Sequence, residues 1–168
     1  MTASVWQIRL SVFAVVTGIV ATATPVSADE IAAAAAKRVG HATINEVLIN
    51  GRDGGRDIPA TVRPGSPITV HLVFRSDSSG WCPKCSNQIV VGYARKKAGQ
   101  LERLPGGKCV YSGSGRHASE RRTFRMAAPA TPGRYEMIVS APQAYNCTKA
   151  LRWRATPHAV AKLDVKGR

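Results

Sequence analysis

Ile68-Thr69-Val70-His71-Leu72-Val73-Phe74-Arg75 decides the fold class. Ile68, Val70, Leu72 and Phe74 alternate with Thr69, His71, Val73 and Arg75. That period of two sets one group on each face of a β-strand, the first toward a core. The turn before it, Arg63-Pro64-Gly65-Ser66, has a proline to fix φ and a glycine free to take positive φ. Upstream, Ala42–Ile49 (ATINEVLI) and Ile58–Val62 read as strands, separated by Asn50 and a polar loop over 51–57. Downstream, Asn87–Arg95 carries Ile89, Val91 and Tyr93 inward. Lys108–Ser112 and Arg121–Ala127 follow, and then Arg134–Ala141 with Tyr135, Met137, Val139 and Ala141 on one face. Ala159–Val165 closes the chain, alternating Ala159, Ala161, Leu163 and Val165. Residues 96–107 and 112–117 read as loops, and 147–154 suits either a short helix or a strand. About eight strands at intervals of roughly 8–14 residues, with no long helical pattern between them, predict an antiparallel all-β, two-layer sandwich.

The first 28 residues read differently. Arg9 precedes an uncharged apolar run from Leu10 to Ala23, and Val26-Ser27-Ala28 supplies the small residues of a signal-peptidase site. The run is about 14 residues, short of the ~20 needed to span a bilayer. The expectation is an N-terminal signal helix at 1–28, and a secreted or periplasmic mature chain of about 140 residues. Residues 29–40, rich in alanine, read as a flexible or helical tether whose apolar face buries little. Residues 41–168 form a single domain.

Within that domain, Ala128-Pro129-Ala130-Thr131-Pro132-Gly133-Arg134-Tyr135 places Pro-Gly before a strand with an early tyrosine. This resembles the corner before a late strand of immunoglobulin-like and fibronectin-like sandwich domains. The resemblance implies that the tyrosine hydroxyl ties the corner to backbone. It covers about 25 residues and brings no activity with it.

Four cysteines remain to be placed: Cys82, Cys85, Cys109 and Cys147. In an oxidising compartment, paired cysteines become disulfides. Strand geometry favours long-range bridges, one of Cys82 and Cys85 to Cys109 and the other to Cys147. Direct Cys82–Cys85 pairing, leaving Cys109–Cys147, is sterically allowed. The alternative is an accessory protein for metal or thiol redox chemistry. In it the Cys-x2-Cys pair acts as a zinc knuckle completed by Cys109 and Cys147, or His117. Thiol redox chemistry at Cys82-Pro83-Lys84-Cys85 lacks the following helix that lowers a reactive thiol's pKa.

Lys and Arg number 24 against 10 Asp and Glu, a net charge of +14. Losing Arg9 with the signal leaves the mature chain near +13, a charge that favours anionic partners. Three basic clusters carry it: Arg95, Lys96 and Lys97; Arg116, Arg121, Arg122 and Arg125; and Arg152 and Arg154 around Trp153. Arg121 and Arg125 share a strand face with Thr123. A row of guanidinium groups can hold phosphate, sulfate or carboxylate bidentately. An anionic glycan, glycolipid or envelope protein is the expected partner class. Nucleic acid is not, because the chain is exported and carries no recognisable nucleic-acid module. No cofactor is expected, and no catalytic residues: Ser114 and His117 lack the nucleophile-elbow context. The scattered acids offer only Asp53 and Asp57 as a conceivable calcium site. Asn146-Cys147-Thr148 fits a glycosylation sequon.

Overall fold

The structure is a computed structural model. It describes residues 36–53, 58–77, 82, 84–113, 118–152 and 155–167. The expected signal at 1–28, most of the tether, Trp81, Arg116, His117, Trp153 and Arg154 lie outside these residues. In chain order the elements are β1 (Lys37–Val39), β2 (Ala42–Ile49), β3 (Arg52–Asp53), β4 (Ala60–Val62), β5 (Pro67–Ser76) and β6 (Ser86–Lys97). Then come β7 (Gln100–Arg103), β8 (Lys108–Gly113), β9 (Ala118–Ala127), β10 (Gly133–Ser140), β11 (Gln143–Ala144), α1 (Cys147–Arg152) and β12 (His158–Val165). The all-β expectation holds.

The strands form two sheets. The first runs β1-β2-β5-β9, with β3 on β2. The second runs β11-β6-β10-β12-β4, with β7 and β8 on the other side of β6. Every pairing is antiparallel except β4 with β12. One apolar cluster lies between the sheets. Ile44, Ile68, Val70, Leu72 and Phe74 enter it from the first, and Val91, Met137, Val139 and Leu163 from the second. The alternation in β5 is strict: each even residue from Ile68 to Ser76 is buried, and each odd one is partly or well exposed.

Three local features depart from the sequence reading, and only the second carried a signal, Asn50-Gly51. The expected tether ends sooner than residue 40, because Lys37–Val39 pairs with β2 and Val39 is buried. A three-residue strand is too short to show a period. The loop expected over 51–57 begins as a hairpin: Asn50 (φ 54°) and Gly51 (φ 74°) turn between paired Ile49 and Arg52. The loop expected over 96–107 likewise contains β7, entered through Ala98 (φ 48°) and Gly99 (φ 80°) between paired Lys97 and Gln100. Two left-handed residues make this a tight primed hairpin turn, usually announced by Asn-Gly or Asp-Gly. Alanine at its first position disguises it and strains it by about 1 kcal/mol. Ala98→Asn should therefore stabilise the domain by about 1 kcal/mol, raising the urea midpoint without changing the slope.

The ambiguous 147–154 segment opens as α1. The Asn146 side-chain oxygen accepts the Lys149 N–H at 2.9 Å, a helix cap. Ala150, on its buried face, packs with Val90 and Ala144 on the outer side of the second sheet. The corner before β10 is tied as the resemblance implied. The Tyr135 hydroxyl donates to the Thr131 carbonyl at 2.6 Å and accepts from Arg95 Nη2. Tyr135→Phe removes both bonds, one of them to a charged group, and should cost about 2–4 kcal/mol in urea unfolding.

Candidate anion-binding face

The cysteines form two disulfides, Cys82–Cys85 and Cys109–Cys147. The favoured crossed pairing is therefore corrected. The Cys85 N–H donates to the Cys82 carbonyl at 3.0 Å, so the chain turns tightly and brings the two sulfurs together. Helix α1 meanwhile sets Cys147 beside Cys109 on β8, with the two Cα atoms 5.6 Å apart. With all four sulfurs in bridges, no group of three metal-ligating side chains exists among the described residues. Among the same residues, no helix is long and apolar enough to cross a membrane.

The basic residues fall on different surfaces. Arg95, at the end of β6, stacks over the Tyr135 ring, its guanidinium carbon 4.7 Å from the centroid. Lys96 points to the other face of the sheet and pairs with Glu136 at 3.4 Å. Lys97 is exposed at the β6–β7 turn, and Arg152 is exposed at the end of α1. Arg122 lies at the core edge of β9, paired with Glu120 at 3.0 Å and 5.6 Å from the Tyr111 ring centroid. These contacts commit Arg95, Lys96 and Arg122 to structure.

Arg121 and Arg125 are placed differently. The pairing of β9 with β5 sets Arg121 opposite Val73, Thr123 opposite His71, and Arg125 opposite Thr69. All six belong to the outward set of the first sheet, as Thr69, His71 and Val73 do in the sequence alternation. Thr123 Oγ1 and His71 Nδ1 are 2.8 Å apart, which fixes the middle of the row. Arg121 and Arg125 are both exposed, and neither forms an ion pair among the described residues. Four residues of strand separate them by about 13 Å. At the far end of β5, Asp77 binds both Arg38 (2.6 Å) and Arg75 (3.1 Å), offsetting one of their two charges. Glu46, opposite Val73 on β2, is one strand further from Arg121. Among the described residues, the guanidinium groups of this face that lack a carboxylate are thus Arg121 and Arg125 on β9.

The backbone of β9 is held as well as its side chains. Lys108 Nζ donates to the Arg125 carbonyl at 3.0 Å, and the Tyr93 hydroxyl to the Ala127 carbonyl at 3.0 Å. Burial pushes the Tyr93 phenol well above its usual pKa, which keeps it a donor.

Sequence reasoning missed a set of buried polar residues: Ser76, Asn87, Gln88, Ser140 and Gln143. Asn87 Nδ2 donates to Ser76 Oγ at 2.9 Å, linking β6 to β5 across the two sheets. Gln143 Nε2 donates to Asn87 Oδ1 at 3.1 Å. The available signal was the Asn87-Gln88 doublet opening an otherwise apolar strand.

No protein-family model matches this chain, and a search of curated proteins gives no match.

Proposed function

We propose that this chain is an exported immunoglobulin-like or fibronectin-like module that binds an anionic envelope component. A phosphorylated glycolipid or acidic polysaccharide suits it, held on the outer face of the first sheet. The observation that carries the reading is the row Arg121-Thr123-Arg125: exposed, outward, rigidly paired to β5 and without carboxylate partners among the described residues. The fold reading is supported by the tied corner at Tyr135. It is supported too by the short β4, which lies in sequence between β3 and β5 of the first sheet yet pairs in parallel with β12 of the second. Both disulfides fit an oxidising compartment outside the cytoplasm. The domain would act by holding its ligand, with Arg121 and Arg125 as bidentate donors and Thr123 between them as a neutral hydroxyl.

The test is titration with an acidic polysaccharide, polygalacturonate. Affinity should fall by about tenfold or more as ionic strength rises from about 0.01 M to 0.15 M, where the Debye length shrinks from about 30 to 8 Å. Arg121→Glu with Arg125→Glu should weaken binding by about tenfold or more at low salt. Arg134→Glu with Lys97→Glu makes the same charge change on the second sheet and should weaken it far less. Equal losses in the two double variants would mean that net charge, and not this face, attracts the ligand.

A further inference from the structure

Gln88 is completely buried in β6. Its Nε2 donates to Ser112 Oγ at 2.9 Å and to the Ala144 carbonyl at 3.3 Å. The Ala144 carbonyl can only accept, so the amide cannot be turned over. Oε1 therefore points the other way, where it meets Cys109 Sγ at 3.4 Å and Cys147 Sγ at 3.3 Å. These two sulfurs belong to one disulfide and carry no proton to donate. A buried carbonyl oxygen thus ends on two atoms that cannot hydrogen-bond to it, an arrangement that disfavours this state. After reduction the two sulfurs part to non-bonded contact, and each thiol gains an S–H that can be donated to this oxygen, with the Tyr111 carbonyl, 3.4 Å from Cys109 Sγ, as the competing acceptor.

We propose that Cys109–Cys147 is a reversible redox site, read by Gln88 and cleaved by a dithiol reductant. One thiolate of the dithiol attacks a sulfur of the bridge, breaking the S–S bond and forming a mixed disulfide. Its second thiol then displaces the protein sulfur and closes the reductant's own disulfide. Two electrons and two protons pass to the protein, and the two cysteine S–H groups donate to Gln88 Oε1. Both cysteines are partly exposed, so a small dithiol can reach them.

The bridge also fastens α1. Without it, the helix is held by the small cluster of Ala150, Val90 and Ala144. Next to that cluster lies a shallow cleft of about 270 Å³, lined by the apolar Val90, Leu104, Ile138 and Leu151 and by the polar Arg103 and Ser140. Reduction lets α1 move off this cleft while the sheets stay paired. The inference is independent of what the outer face binds.

The experiment equilibrates the full chain in buffers of reduced and oxidised dithiothreitol, then alkylates and counts free Cys109 and Cys147 by mass spectrometry. Wild type should be half-reduced at about tenfold lower reduced-to-oxidised ratio than Gln88→Met, a difference of about 30 mV. Equal ratios would overturn the role of Gln88. A second reading on wild type alone covers a variant that fails to fold. On reduction, the Gln88 side-chain carbonyl resonance should shift and the Ala150 amide should lose exchange protection, while amides of β6 and β10 keep theirs. An unmoved carbonyl resonance, a still-protected Ala150 amide or loss of all protection together would each sink the proposal.

Discussion

Replacing Cys109 and Cys147 together with alanine is expected to lower the unfolding free energy by about 4 kcal/mol, measured by urea titration. The bridge joins residues 38 apart in sequence, so in the chain-entropy model it removes much freedom from the unfolded state. Replacing Cys82 and Cys85 in the same way should cost only about 2 kcal/mol, because that bridge closes a loop of three residues' separation. The order of the two effects is the informative part. The crossed pairing suggested by strand geometry would make both pairs long-range and their losses similar. Non-reducing peptide mapping checks the same point chemically, with Cys82 and Cys85 linked to each other and the peptide that holds them linked to neither Cys109 nor Cys147.

Phe74→Ala is expected to cost about 4 kcal/mol by the same titration. Phe74 is wholly buried between the sheets, its ring edge-on to Tyr111 at a centroid distance of 5.1 Å. Tyr111 belongs to the second sheet, so the truncated side chain would leave a cavity at the contact between layers. Neighbouring strands are fixed by backbone pairing on both sides, Ile44 on β2 and Glu120 on β9, and can close the hole only partly. Val73→Ala, one residue away on the outward face, should cost well under half as much. A larger loss at Val73 than at Phe74 would reverse the facing of β5 and remove the row of Arg121, Thr123 and Arg125 from the surface.

Strands with a buried face were legible because alternation leaves a mark over eight or more residues, as in Ala42–Ile49 and Ile68–Arg75. The Pro-Gly corner was legible because a tyrosine two residues beyond Gly133 has one obvious backbone acceptor nearby, and it found Thr131. What stayed hidden was short or atypical. β1 is too brief for a pattern, β3 is two residues long and only its Asn50-Gly51 turn announced it, and β7 follows a turn that uses Ala98 where asparagine would have signalled it. The disulfide partners depended on whether 147–154 was helix or strand, and the cap at Asn146 decides that locally. Among the candidate arginines, sequence alternation placed Arg121 and Arg125 on one face but could not show that Arg95 and Arg122 are occupied by Tyr135, Glu120 and Tyr111. Those partners come from distant parts of the chain.

The open arginines lie on β9, beside Thr69, His71 and Val73 of β5. Amide chemical-shift mapping of the isotopically labelled chain during titration with polygalacturonate tests this placement most directly. Shifts should concentrate at Thr69, His71, Val73, Arg121, Thr123 and Arg125 and fade as salt is added. Shifts confined to Arg95–Arg103 or to Cys147–Arg152, with β5 and β9 unmoved, would contradict it.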